Sequence, residues 1–342
     1  MRFGTVRSLS VQYLSFSETD PYRLGEAYGR AVADGLTSIW TAYDSLFAAY
    51  GNASPERVQQ VGRDALEVTA KWRPHLLSEM EGLAAGSGLP VEVIATLNAR
   101  TELLAGRECS TVARATQQNP WLAQNWDWFL DAPERCVVVA TPDYTTFTEA
   151  GILAKIGINK HGLAVGLDIL RHTSDRTTGL GVPVHLILRE MLGACASVDD
   201  AAALLDESPT SASSCITVVS ADGDGACFEV SPAGVARIEP DDDGFLSHTN
   251  NFCDEALASG DRVVPEARHS DLVASRPKTL DDARAALSSH ATTPSVCVHE
   301  TIKPGLPPAG TAASILMDPV SREMWIAAGP PCQATYEAVP RS

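Results

Sequence analysis

Apolar residues recur at three- and four-residue spacing through most of the first hundred positions, and after Gly106 that pattern gives way to short β-rich runs. This switch of period constrains the fold more than any other feature, because one half must bury helical stripes and the other must pair strands. Asp20-Pro21 supplies an N-cap and a first-turn proline, and Leu24, Tyr28, Val32, Leu36, Ile39, Tyr43 and Phe47 then form one stripe that ends at Gly51-Asn52. Ser54-Pro55 opens a second helix carrying Val58, Val61, Ala65, Val68 and Trp72. A third is expected over His75–Ala85, stopped by Gly86-Ser87-Gly88, and a fourth from Pro90 through Ile94, Leu97 and Thr101. An all-α lobe of this kind must pack on something else.

Beyond it, strands are expected at Cys136–Ala140, Ile152–Ile158 and Leu163–Leu170, the last entered through a turn at Asn159-Lys160-His161-Gly162. Helices follow over Val184–Cys195 and Val198–Leu205. Ile216–Val219 and Cys227–Val230 flank a Gly-rich hairpin turn containing Asp222 and Asp224, and the acidic run Glu239–Gly244 reads as a solvated loop. A last helix is expected near Asp281–Ser289, followed by strands at Ser314–Leu316 and Met324–Ala327. Helices, strands, helices and strands with many hairpins predict an α+β fold of antiparallel sheets covered by helices.

Composition excludes several classes of function. With 26 Lys and Arg against 43 Asp and Glu, the formal charge is -17, which repels nucleic acid and anionic membrane surfaces. No apolar run reaches the ~20 residues of a membrane span, and the first residues lack a signal-peptide pattern, so a soluble cytoplasmic protein is expected. Eight cysteines in such a chain predict free thiols rather than a disulfide framework. No Cys-x-x-Cys occurs and no Cys/His pairing has zinc-site spacing, so no metal is expected. Asp222 and Asp224 lack the distal ligands of a calcium loop. Gly86-Ser87-Gly88 follows a helix, which does not support a nucleotide site.

Three segments carry chemistry in combination. Cys109-Ser110-Thr111 opens the strand-rich part, Gln124-Asn125-Trp126-Asp127-Trp128 follows, and His248-Thr249-Asn250-Asn251 comes much later. Taken singly, a buried thiol, a tryptophan pair and a turn asparagine are ordinary structural features. Together with Gly25-Glu26-Ala27-Tyr28-Gly29-Arg30, Glu81–Gly86, Leu97–Glu102 and Thr311–Pro319, they resemble the penicillin acyltransferase family, peptidase family C45 of the N-terminal-nucleophile hydrolases. The resemblance covers nearly the whole chain. Gln124 stands where the related bile-salt hydrolases carry arginine, so a carboxylate-pairing role does not transfer to it.

The resemblance implies a four-layer αββα sandwich made as a precursor and cut between Glu108 and Cys109. The helical segment 1–108 and the catalytic segment 109–342 would then stay associated as one structural domain. It implies Cys109 as nucleophile, its freed α-amine as base, Asp127 orienting that amine, and Asn250 donating to the oxyanion. An α-amine with a pKa near ~8 is partly neutral at neutral pH, and a thiol near ~8.5 needs little activation. Trp126, Gln124 and His248 are weaker candidates for the substrate site. No cofactor is implied, and self-association into homo-oligomers is compatible with the pattern. Hydrolysis of a small N-acylated amine, amino acid or peptide-like molecule through a thioester is the expected reaction. Acyl transfer to an amine stands second, and an unprocessed, non-catalytic binding protein third.

Overall fold

The computed structural model describes residues 11–104, 109–131, 135–177, 179–258 and 267–340; Glu108 lies outside them. In chain order the first half comprises β1 (Gln12–Ser15), α1 (Pro21–Ala49), α2 (Pro55–Trp72), α3 (Pro74–Ser87), α4 (Val91–Asn98), β2 (Cys109–Arg114) and β3 (Trp121–Phe129). Then come β4 (Cys136–Ala140), β5 (Tyr144–Glu149), β6 (Ile156–Asn159), β7 (Leu163–Ile169), α5 (Val184–Ala194) and α6 (Val198–Asp206). The remainder is β8 (Ser214–Ser220), β9 (Gly225–Ser231), β10 (Gly234–Ile238), β11 (Phe245–His248), α7 (Ala267–Ser275), α8 (Leu280–Leu287), β12 (Ala309–Asp318), β13 (Glu323–Ala327) and β14 (Tyr336–Ala338).

Local chemistry sets the helix bounds. Asp20 and Ser54 accept hydrogen bonds from the backbone N–H groups of Arg23 and Arg57, and each is followed by proline. Gly88 closes α3 in the left-handed conformation at φ 75°. The stripe from Leu24 to Phe47 is buried throughout. The strand expected over Ile152–Ile158 is shorter and begins at Ile156, because Gly151 at φ 89° turns the chain first. Strands β1, β5, β10, β11 and β14 and helix α7 have no counterpart in the sequence expectations.

The strands form two sheets. One has eight strands in the order β1-β4-β5-β6-β7-β8-β9-β10, and the other six in the order β11-β2-β3-β12-β13-β14. Every pairing is antiparallel except β1 with β4. Strands β2 and β3 of the smaller sheet face β7 and β8 of the larger. Helices α5 and α6 cover the outer face of the larger sheet, while α7 and α8 cover the smaller, which completes a four-layer αββα sandwich. The N-terminal helices join the first helical layer through α4, which touches α5. One hydrophobic core runs from Tyr28 in α1 through both sheets to Ile326 in β13. No helix among the described residues is long and apolar enough to cross a membrane.

Candidate active site

Cys109 occupies the first position of β2, an inner strand of the smaller sheet, and pairs across the ladder with Trp126 of β3. It is 4% exposed. Its backbone N–H donates to Asn250 Oδ1 at 2.7 Å, and the Asn250 Nδ2 donates to the carbonyl of Ile169 at 2.8 Å. Arg268, projecting from α7, donates through Nη2 to the same Asn250 Oδ1 at 3.0 Å and through Nη1 to the Cys109 carbonyl at 3.2 Å. Two donors on Oδ1 and one acceptor on Nδ2 fix the orientation of the Asn250 amide. One N–H of the Asn250 Nδ2, the group expected to face an oxyanion, donates to the Ile169 carbonyl of β7, and the side-chain carbonyl faces Cys109.

Asp127 lies one position along β3 from Trp126, opposite Thr311 of β12. A bulge between Thr311 and Ala313 interrupts that ladder. The Thr311 hydroxyl donates to Asp127 Oδ1 at 2.6 Å while accepting from the Val298 N–H at 3.0 Å. The second Asp127 oxygen is 3.9 Å from Arg268 Nη1. Burial, reinforced by the negative charges of Asp168 and Asp127, pushes the Cys109 thiol up to about 12. The backbone N–H of Asp127 and the charge of Lys155 act in the opposite direction. In the intact chain the thiol is held protonated, so a base must act before it can attack.

Beside this group lies a buried ionic cluster that the sequence did not suggest. Glu149 is contacted by Arg100 at 2.7 Å, Lys155 at 3.1 Å and Arg135 at 3.6 Å, and it accepts from the Tyr43 hydroxyl. Burial alone would raise its carboxyl, but Arg100, Lys155 and Arg135 hold it well below the usual carboxylate range. Lys155 Nζ sits 3.4 Å from the centroid of the Trp126 ring. Burial pulls Lys155 down to about 7, with Glu149 opposing and Arg100 adding to the depression.

The weaker sequence candidates are placed elsewhere. Trp126 is stacked on Trp128 at 6.2 Å inside the core. Gln124 uses both ends of its amide on the backbone of Leu167, accepting from its N–H at 2.9 Å and donating to its carbonyl, so it ties the two sheets together. His248 bridges Glu229 at 2.7 Å and the Thr249 carbonyl at 2.7 Å, and is fully buried. Trp128, 2% exposed and part of the same core, also borders a cleft of about 700 Å³ together with Asp127, Tyr50, Arg171 and several residues between 292 and 310. Its size is ordinary for a small-molecule site. Arg268 and Thr311 complete the set around Cys109, Asp127 and Asn250. Thr311 lies in a segment the sequence had singled out, whereas Arg268 carried no signal.

Two packed antiparallel sheets between helical layers, with a buried cysteine heading an inner strand beside a carboxylate and a cleft, define a class of enzyme scaffold. The family model described as acyl-coenzyme A:6-aminopenicillanic acid acyl-transferase matches residues 114–332, and the chain belongs to that family of enzymes. A curated relative, the 40 kDa form of acyl-coenzyme A:6-aminopenicillanic-acid-acyltransferase from Emericella nidulans, is 28% identical over 241 residues, spanning 68% of this chain and 67% of the relative. Among solved structures, penicillin V acylase from Agrobacterium tumefaciens superposes with a TM-score of 0.46 at 15% identity, covering 67% of this chain and 84% of that one. A variant of conjugated bile acid hydrolase from Clostridium perfringens gives 0.39 at 11% identity, covering 68% and 97%.

Proposed function

We propose that the chain is a self-processing amidohydrolase that cuts itself between Glu108 and Cys109 and then uses Cys109 as an N-terminal nucleophile on a small N-acylated amine. The observation that carries this reading is the grip on Cys109 itself: its N–H on Asn250 Oδ1 at 2.7 Å, its thiol facing the Asp127 N–H, at the head of an inner strand. In the first step Cys109 Sγ loses its proton to a base and attacks the carbonyl carbon of residue 108. The C–N bond breaks as the Cys109 nitrogen takes up a proton, leaving a thioester. Water hydrolyses the thioester, releasing the carboxylate of residue 108 and the free thiol.

The new α-amine then serves as the base. Asn250 Oδ1 accepts one of its N–H bonds, which leaves the lone pair free to take the thiol proton. Asp127 favours the ammonium form that results, while the guanidinium of Arg268 disfavours it. The thiolate attacks the substrate amide, the leaving amine departs with the proton, and a thioester acyl-enzyme remains. Water resolves it in the hydrolytic reading. Transfer to an amine acceptor is the second reading, favoured by the name of the family and of the Emericella nidulans relative. The cleft bounded by Asp127 and Trp128 is the candidate seat for the substrate.

Intact mass and N-terminal sequencing of the purified protein test the first step. Two fragments are expected, the larger beginning at Cys109, and Cys109→Ala should remain one chain. A wild-type protein that stays uncut, or a Cys109→Ala variant that still divides, overturns the proposal.

A further inference from the structure

Linear spacing gave no reason to expect a metal, yet the fold gathers two cysteines and two histidines at one place on the smaller-sheet side. His290 follows α8, Cys297 and His299 lie two residues apart on the way into β12, and Cys332 sits in the turn after β13. The pattern His-x6-Cys-x-His with a cysteine 33 residues further on has no Cys-x2–4-Cys element, which is why it escapes recognition. One donor atom from each of the four residues lies within 4.8 Å of every other.

The separations have the shape of a coordination shell. Cys297 Sγ and Cys332 Sγ are 3.5 Å apart, and His290 Nε2 and His299 Nε2 are 3.0 Å apart. His299 Nε2 lies 3.1 Å from Cys332 Sγ, and His290 Nε2 lies 3.8 Å from it. Zinc bonds of about 2.3 Å to sulfur and about 2.0–2.1 Å to nitrogen give tetrahedral edges of roughly 3.8 Å (S–S), 3.4 Å (N–N) and 3.6 Å (S–N). Each observed edge is within about 0.5 Å of these values. A disulfide would require the two sulfurs to approach to about 2.05 Å. We infer that His290, Cys297, His299 and Cys332 form a structural zinc site.

Ligand chemistry selects the ion. Two thiolates and two neutral imidazoles in a tetrahedron suit zinc rather than magnesium or calcium, and they balance the dication to zero net charge. The scaffold holds the ligands ready, since the Cys297 N–H donates to the Ser289 carbonyl at 3.0 Å and the Gln333 N–H donates to the Pro330 carbonyl at 2.9 Å. The site would staple the 290–299 segment to the C-terminal turn. That segment walls the cleft beside Asp127, and its Val298 N–H holds Thr311 against the Asp127 carboxylate. Zinc here would brace the cleft without touching the reacting atoms, so the inference stands whether or not the chain processes itself.

Metal analysis of the full-length protein, produced with zinc in the medium and purified without chelators, is the direct test. One zinc per chain is expected. His290→Ala and Cys332→Ser, both at exposed positions, should abolish it while the variants remain folded by circular dichroism. Cobalt(II) added to metal-stripped wild type should give the intense visible bands of a tetrahedral site together with thiolate charge-transfer absorption, and Cys332→Ser should lose both. The inference is overturned by wild-type protein that holds neither metal, by variants that retain full zinc, or by a Cys297–Cys332 disulfide in the freshly purified chain.

Discussion

Burial sets the protonation of the groups that border the expected cut, and Glu102 shows how this reaches stability. Only 2% exposed, its carboxyl is raised to about 7 by burial, with the Ser211 hydroxyl at 2.7 Å and Arg176 pulling the other way. An unfolded glutamate titrates near ~4.3. Between ~4.3 and about 7 the folded chain therefore holds a proton that the unfolded chain has released, and stability falls as pH rises through that window. Glu102→Gln keeps an acceptor for Ser211 and removes this slope, so the drop in denaturant midpoint from pH 5 to pH 8 should be smaller than in wild type. Equal drops would show that Glu102 does not control it. At the site itself, Thr311→Val removes a hydrogen bond to a carboxylate worth about 1.5–3 kcal/mol, or roughly 10- to 150-fold. Cleavage measured by gel densitometry should slow by that order, and unchanged kinetics would detach Asp127 from the reaction. The resemblance singled out Cys109, Asp127 and Asn250 because it reads distant segments together, and the fold does bring the three side by side. Arg268 was not singled out, since a guanidinium reaching back from α7 to a strand 159 residues away leaves no local pattern.

Helix packing explains a motif that the sequence offered only as a resemblance. Gly25 and Gly29 of α1 lie against Gly82 and Gly86 of α3, and the backbones touch. A Cβ on Gly25 would come within 2.0 Å of the Glu79 carbonyl oxygen, and one on Gly82 within 2.0 Å of that of Tyr22. Neither clash can be relieved by moving a side chain, so the helices would have to part. Gly82→Ala should cost at least the ~1–3 kcal/mol typical of overpacking, read as a lower thermal midpoint. A midpoint at or above wild type would refute the close approach. The same scale shows why other elements stayed hidden. Strand β5 is almost wholly buried and shows no alternation, while α7 buries only Arg268 and Leu272 and has no apolar stripe to find. Helices α1 and α2 announced themselves through caps and periodicity, which are local. The Glu149 cluster depends on Arg100, Arg135 and Lys155 converging from separate elements, and no window along the chain contains it.

Across the whole molecule, the proposed cut would fall within a structure whose two sides share one core and buried charges. Arg100 on the N-terminal side pairs with Glu149 at 2.7 Å, and Glu79 pairs with Arg189 at 2.9 Å. Asn98 donates to the Gly151 carbonyl at 2.9 Å and accepts from the Leu153 N–H at 2.9 Å, and the Trp128 indole donates to Tyr43 at 3.1 Å. Pulling the helical segment away would expose the apolar face of α1 and leave Glu149 without one of its cations. Removing one partner of a buried pair costs about 3–5 kcal/mol, and exposure of the stripe adds to it at roughly 25 cal/mol per Å². The two fragments should therefore co-elute as one species on native size-exclusion chromatography and separate only in denaturant. Arg100→Met removes the shortest of these ionic contacts and should let them part at a lower denaturant concentration than wild type. Fragments that elute apart without denaturant would show that the shared core does not hold the cut molecule together.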